Sequence, residues 1–193
     1  MTGAPGSTVD VIVIGGGPAG ENAAEYAVAG SSRTGVIVEA ALVGGECSYW
    51  ACMPSKALLR PLEVASAARN LEGISNPEIV GDELLARRDT WRSHLDDSRQ
   101  VSWAQSVGFD IVRGTGRLIG ERQVEVTPQE GEPRVFTARD AVVLATGSAP
   151  VIPGHYASVA PWTSRDATGV AEVPERLAIV GGGVVACEAA RWL

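Results

Sequence analysis

A chain of 193 residues with 16 Lys and Arg, 23 Asp and Glu and a net charge of −7 is long enough for one good core and little more. The acidic balance argues against nucleic acid or an anionic membrane as a partner, and no run of about eighteen apolar residues offers a membrane span. The opening MTGAPGSTVD lacks the basic-then-apolar order of a signal peptide. Residues 1–8 read as a short disordered lead-in. The chain is expected to be cytoplasmic, where cysteine pairs are more often catalytic than structural.

Val9 to Ile14 are rich in β-branched residues and suit a buried parallel strand. GGGPAG, Gly15 to Gly20, follows directly, and Ala-rich sequence then runs to Gly30. Pro18 suits a first helical turn and Gly30 a C-terminal cap, while Ala19, Ala23, Ala24 and Ala27 allow close packing on a sheet. Val36, Ile37 and Val38 make a second strand that ends at Glu39. This is the strand, glycine turn, helix, strand and acid order of a dinucleotide site. Gly15 turns the chain, Gly17 lets backbone approach a pyrophosphate, and Gly20 lets helix meet strand. The helix N-terminus offers amides to the phosphates, and Glu39 stands where an acid bonds a ribose hydroxyl. A lone glycine motif is weak evidence, since such turns also serve methyltransferases or no ligand at all.

Five residues past Glu39 begins GGECSYWACMPSKALL, Gly44 to Leu59. Cys47 and Cys52 stand five positions apart. An ideal α-helix would separate their Cα atoms by ~8.5 Å, and a disulfide rarely spans more than ~7 Å. The pair can bridge only if the segment is looped or distorted. Pro54 keeps Met53 from helical geometry and suits a helix starting near Ser55. A thiol near a helix N-terminus with Lys56 close by has its thiolate favoured. The alternatives are two inert buried thiols or half of a zinc site. Zinc needs about four ligands, and Cys187, His94 and His155 share no zinc spacing with the pair, so no metal is expected.

Lys56 to Arg60 should be helical, with Pro61 interrupting or kinking the helix before a further piece, Leu62 to Asn70. Glu72 to Val80 reads as loop. Asp82 to Val107 carries a long helical pattern with Leu84, Trp91 and Leu95 on one side, ended by Gly108. His94 is expected as a solvated residue of that helix, and Trp91 and Trp103 as packing against a sheet. Phe109 to Val112 is strand-like. Gly114 to Ile119, Gln123 to Thr127 and Arg134 to Ala138 form three short extended runs with turns at Gly120 and Gly131, an antiparallel meander. Ala141 to Ala145 is a further buried strand, ending in Thr146, Gly147 and Ser148. Pro150, Pro153 and Gly154 suggest a linker that includes His155, and Trp162 to Pro174 a polar connector. Leu177 to Val180 reads as a strand before GGGVVACE, Gly181 to Glu188. That is a second glycine turn and helix start, with Gly181 and Gly183 in the motif and Ala186 in place of its third glycine.

The Cys47–Lys56 stretch resembles the redox box of the pyridine nucleotide-disulfide oxidoreductases, a flavoprotein family with dihydrolipoamide dehydrogenase, glutathione and mycothiol reductases and mercuric reductase among its members. The usual form is GGTCxxxGCxPSK. This chain differs at Glu46, where the family has Thr, and at Ala51, where it has Gly. The residues Ser48 to Ala51 also differ from the common type. The resemblance covers nearly all of the chain from Val9 onward. It implies an α/β fold: a Rossmann-like FAD-binding domain over 9–154, with a parallel sheet, helices and a three-stranded antiparallel meander. A linker and the incomplete start of a Rossmann-like NAD(P)H-binding domain follow over 155–193. A βαβ unit needs about thirty residues or more, so the expectation is a fragment of a longer protein.

The resemblance implies FAD contacts at Gly15, Gly17, Pro18, Ala19, Gly20, Glu39, Ala40, Gly45 and Glu46, at Gly116 near the adenine, and at Ala145, Thr146 and Gly147 beside the flavin nucleotide. It implies electron flow from NAD(P)H through FAD to a Cys47–Cys52 disulfide and on to a small disulfide or dithiol substrate. Cys52 would lie against the flavin and Cys47 would exchange with the substrate. Lys56 would pair with Glu188 at the flavin, and a broken buried pair costs ~3–5 kcal/mol. The family's histidine base, near its C-terminus and usually from the partner subunit of a homodimer, matches neither His94 nor His155. The runner-up functions are a flavin NAD(P)H oxidase or quinone reductase, and a flavin-binding piece inactive by itself.

Overall fold

The computed structural model describes residues 7–193. The expected lead-in therefore lies, apart from Ser7 and Thr8, outside the described residues, and Thr8 already belongs to the first strand. The chain forms two compact units, one of residues 7–45 with 96–148 and one of 46–95 with 149–193.

The first unit is built on β1 (Thr8–Ile14), α1 (Pro18–Val28), β2 (Gly35–Glu39), α5 (Ser98–Ser106), β3 (Phe109–Arg113), β4 (Thr115–Gly120), β5 (Gln123–Thr127) and β6 (Arg134–Leu144). These strands make one sheet in the order β3-β2-β1-β6-β5-β4. β3, β2, β1 and β6 run parallel, and β4, β5 and the start of β6 pair antiparallel. The two-residue period of a strand sends successive side chains to opposite faces. Val11 and Val13 therefore meet Ala24 and Val28 of α1, Ala104 of α5 and Phe109 of β3. Ile12 and Ile14 face the other way, into Val36, Val38, Val124, Val126 and Phe136. The meander thus covers the second face. A Cβ on Gly116 would come within 2.9 Å of Ile14 and 3.1 Å of Val38, so this close approach demands a residue without one. Trp103 packs on the helix-covered face as expected.

The sequence pattern separates Arg134–Ala138 from Ala141–Ala145, yet β6 is continuous, with a bulge opposite Val9 and Val11. The charged Arg139-Asp140 pair breaks the apolar pattern without breaking the ladder. Arg139 reaches Asp10 at 2.6 Å and Asp140 reaches Arg33 at 2.7 Å, both at the surface.

The second unit holds most of α2 (Gly45–Tyr49), and all of α3 (Cys52–Arg69), α4 (Gly81–Trp91), α6 (Ser164–Gly169) and α7 (Val184–Trp192). Leu58, Leu59, Leu84, Ala167, Ala189 and Trp192 form its core. Four expectations are corrected here. First, α3 starts at Cys52, takes in Met53 and runs through Pro61. Pro54 falls within its first turn, where a missing N–H costs nothing. Pro61 leaves the Ala57 carbonyl without its helical donor, and Arg87 Nε donates to that oxygen at 3.2 Å. Second, the span from Asp82 to Val107 is two helices. Ser93, His94 and Leu95 have φ of 51°, 51° and 63° and form a short 3-10 turn between them, so His94 is not in an α-helix. Trp91 is 42% exposed and lies under the Arg87 guanidinium at 4.7 Å. Third, Leu177–Val180 is not a strand: those residues carry no ladder, and Leu177, Ile179 and Val180 are exposed. Fourth, the polar connector contains α6, opened by a capping box in which the Thr163 N–H and hydroxyl both donate to Asp166, at 2.7 and 2.8 Å.

Among the described residues, no helix is long and apolar enough to cross a membrane.

Candidate active site

In the first unit, the candidate nucleotide residues gather at the carboxyl ends of β1, β2 and β6, the edge at which open α/β sheets take ligands. Gly15 follows β1 with φ +103°. A Cβ there would lie 2.2 Å from the Ala145 carbonyl oxygen, and a Cβ on Gly20 would lie 1.9 Å from the Gly15 oxygen. Both glycines are required by the protein's own backbone. Gly17 is different: a Cβ there meets only the Gly45 Cα, at 3.8 Å. Gly17 caps α1, and Pro18 and Ala19 open its first turn.

Glu39 ends β2. Its Oε2 accepts the Gly16 N–H at 2.7 Å and its Oε1 the Ala41 N–H at 2.7 Å. A carboxylate has about four acceptor positions, so two remain for ligand hydroxyls. Ala40 begins the exposed loop beyond it. Arg113 and Asp97 hold this loop. Arg113 donates to the Ala41 carbonyl at 2.7 Å and to Asp97 at 2.5 Å, and Asp97 accepts the Val43 N–H at 2.8 Å. The Gly44 N–H donates to the Gly16 carbonyl at 2.6 Å, and a Cβ on Gly45 would sit 2.7 Å from the Gly17 Cα. The glycines that open the cysteine box are thereby seated on the glycine turn after β1. Ala145 donates to the Ile14 carbonyl at 2.8 Å, and Thr146 and Gly147 continue from it. Gly116 stands at the start of β4.

This geometry fits a dinucleotide. The turn leaves Gly17 open on its outer side, α1 presents its N-terminus, and Glu39 keeps acceptors in reserve.

In the second unit, Cys47 lies in α2, half-buried, and Cys52 is the first residue of α3, exposed. The two helices are not continuous. Ala51 at φ −128°, ψ −94° breaks them, the local distortion that the five-residue spacing calls for. Lys56 and Glu188, 132 positions apart, are brought together: Nζ donates to the two carboxylate oxygens at 2.9 and 3.1 Å. Their side chains are 60% and 28% exposed, so the pair is not a buried one. Gly181, at φ +112°, and Gly183, the cap of α7, are exposed. Glu46 has a partner that the sequence reading did not name, Arg165.

The profile of the family described as pyridine nucleotide-disulphide oxidoreductase matches residues 9–193. The chain belongs to this family. Its members use FAD and NAD(P)H, and the six-stranded α/β unit is the corresponding Rossmann-like FAD-binding fold. Among its relatives, a dihydrolipoyl dehydrogenase of Chlorobaculum tepidum is 37% identical over 94% of this chain and 39% of its own length. A mercuric reductase of Staphylococcus aureus is 30% identical over 93% of this chain and 32% of its own. The crystal structure of LpdA from Mycobacterium tuberculosis superposes with a TM-score of 0.63 at 25% identity, over 75% of this chain and 33% of LpdA. The chain thus spans about two-fifths or less of these oxidoreductases.

Arg165, Arg113, Asp97 and Thr168 escaped the sequence reading of the site. A signal existed for α6: Thr163-x-x-Asp166 has the form of a capping box. A second lay in Pro61, which leaves the carbonyl of Ala57, four residues earlier, in need of a donor.

Proposed function

We propose that this chain supplies the FAD-binding and dithiol-bearing parts of a cytoplasmic, homodimeric NAD(P)H–disulfide oxidoreductase acting on a small disulfide or dithiol. The observation that carries the reading is the seating of Gly45 against Gly17. It sends the chain from the dinucleotide turn into the cysteine box within two residues.

Gly15, Gly17, Gly20 and the first turn of α1, with Pro18 and Ala19, would hold the pyrophosphate, and Glu39 with Ala40 the ribose. Gly116 and the Ala145–Gly147 segment would flank the remainder of the cofactor. Bound FAD would supply the two-electron relay between nicotinamide and sulfur. Cys47 and Cys52 would cycle between dithiol and disulfide. In reducing a substrate disulfide, the Cys47 thiolate attacks one substrate sulfur and expels the other as a thiol. Cys52 then displaces the second thiol and closes the Cys47–Cys52 bond, so two electrons leave the pair and two protons go to the product thiols. Cys52 is proposed as the flavin-side sulfur. Lys56 and Glu188 form an ion pair that tunes the flavin. Gly181, Gly183 and α7 would open the NAD(P)H-binding domain.

Thiol counting on denatured protein tests this directly. Treatment with dithiothreitol should raise the count by two per chain, and Cys47→Ser should abolish the rise. An unchanged count in the untreated and reduced protein refutes the redox pair.

A further inference from the structure

We infer that Arg165 and Thr168 of α6 are positioning residues for the turn between Cys47 and Cys52, and that Glu46 belongs to this tie. The proposal deepens the dithiol reading above and rests on it for its functional meaning.

Three contacts converge on the turn. The Arg165 guanidinium pairs with Glu46, the residue before Cys47. It also lies over the Trp50 ring, 4.0 Å from the centroid. The Thr168 hydroxyl donates to the Trp50 carbonyl at 2.8 Å, the shortest of its contacts. The third contact has a local cause. Trp50 precedes the Ala51 cap of α3, so its carbonyl takes no bond from within that helix. Thr168 meets it from outside. Residues 46 and 50 bracket Cys47, and residue 50 adjoins the break at Ala51. Holding these points sets how far the half-buried Cys47 can swing.

α6 is itself anchored. Arg88, 3% exposed, donates to the carbonyls of Thr168, at 3.0 Å, and Val170. The Trp192 indole donates to the Ala167 carbonyl at 3.2 Å. A strap with a fixed end transmits restraint, whereas a loose one would follow the turn. The structure also accounts for a departure from the family box. Glu46 in place of the usual Thr comes with an arginine placed to receive it.

The test is site-resolved alkylation of the fully reduced chain, with iodoacetamide as probe and the rate at each cysteine read by peptide mass spectrometry. Cys187, on the exposed face of α7, is the internal reference. Arg165→Ala should speed alkylation of Cys47 about five-fold, the scale that one exposed ion pair and one cation–π contact support. Cys187 should be unchanged. Glu46→Gln should act in the same direction, and the double variant should fall short of the product of the two single effects. Arg165→Lys keeps the charge and should recover part of the restraint. Arg165 and Glu46 are 49% and 48% exposed, so these variants should fold. A Cys47 rate unchanged in Arg165→Ala, or one that rises in step with Cys187, overturns the proposal. Because the protein is reduced throughout, this result is independent of whether a Cys47–Cys52 disulfide forms. Failure of the dithiol reading would appear in the thiol count instead.

Discussion

Gly15, Gly17 and Gly20 look alike in a motif and do different work. Gly20 has no room for a methyl group because the Gly15 oxygen stands 1.9 Å from its Cβ position. Gly20→Ala should therefore destabilise the first unit by about 2 kcal/mol or more, as overpacking against rigid backbone does, and a urea melt reads this. Gly17 faces only the Gly45 Cα at 3.8 Å. Gly17→Val should leave the melt nearly unchanged and lower flavin affinity by about ten-fold or more, since its side chain would intrude only on a bound pyrophosphate. A Gly17→Val protein that retains full flavin would place the cofactor elsewhere. Lys56 and Glu188 form the ion pair expected of them. The pair is partly exposed in this chain, so Glu188→Ala should cost under about 1 kcal/mol of stability. In stopped-flow traces of the flavin-loaded enzyme it should slow reduction by NAD(P)H more than reduction by dithiol. Equal slowing of both would contradict the assigned role.

Two helices show how an element is completed from outside itself. Pro61 sits within α3, and Arg87 supplies the donor that Ala57 lacks. Arg87→Met should cost about 1–2 kcal/mol, from the lost hydrogen bond and the lost contact over Trp91. Much of the hydrogen-bond share should vanish in a Pro61→Ala background, because the substitution restores the missing N–H. A cost identical in both backgrounds would refute this account. The capping box of α6 gives a pH signature. The Thr163 backbone N–H and then its hydroxyl hold the Asp166 carboxyl below the usual carboxylate range. A lowered folded value means that the contribution is fully present above the unfolded value of about 3.9 and is lost as pH falls through the folded one. Asp166→Asn should therefore weaken the protein at neutral pH and converge with the parent in acid, as thermal melts at both pH values would show. Parallel curves across that range would rule the linkage out.

At the scale of the whole molecule, the strands of the first unit were legible because the parallel ones are short runs of β-branched residues and the meander strands are bounded by glycine turns. The meander, the parallel core and the glycine turn after β1 were all readable from residues. What misled was composition standing in for partners. Arg139 and Asp140 looked like a break in β6 but find mates at the surface. Leu177 to Val180 looked like a strand, but a strand exists only through a ladder. The helical pattern across Ser93 to Leu95 hid three left-handed residues that periodicity does not register. In the site, the residues with a motif were legible, whereas Arg165, Arg113 and Asp97 were not, since their partners lie far away in sequence. The central claim is that a flavin and a Cys47–Cys52 pair form one electron store. Anaerobic reductive titration of the flavin-loaded protein tests it most directly. Uptake of about four electrons per chain, falling to about two in Cys52→Ser, is the predicted result, because the flavin and the disulfide are each two-electron couples. Uptake of two electrons in the unaltered protein, with Cys52→Ser the same, would contradict it.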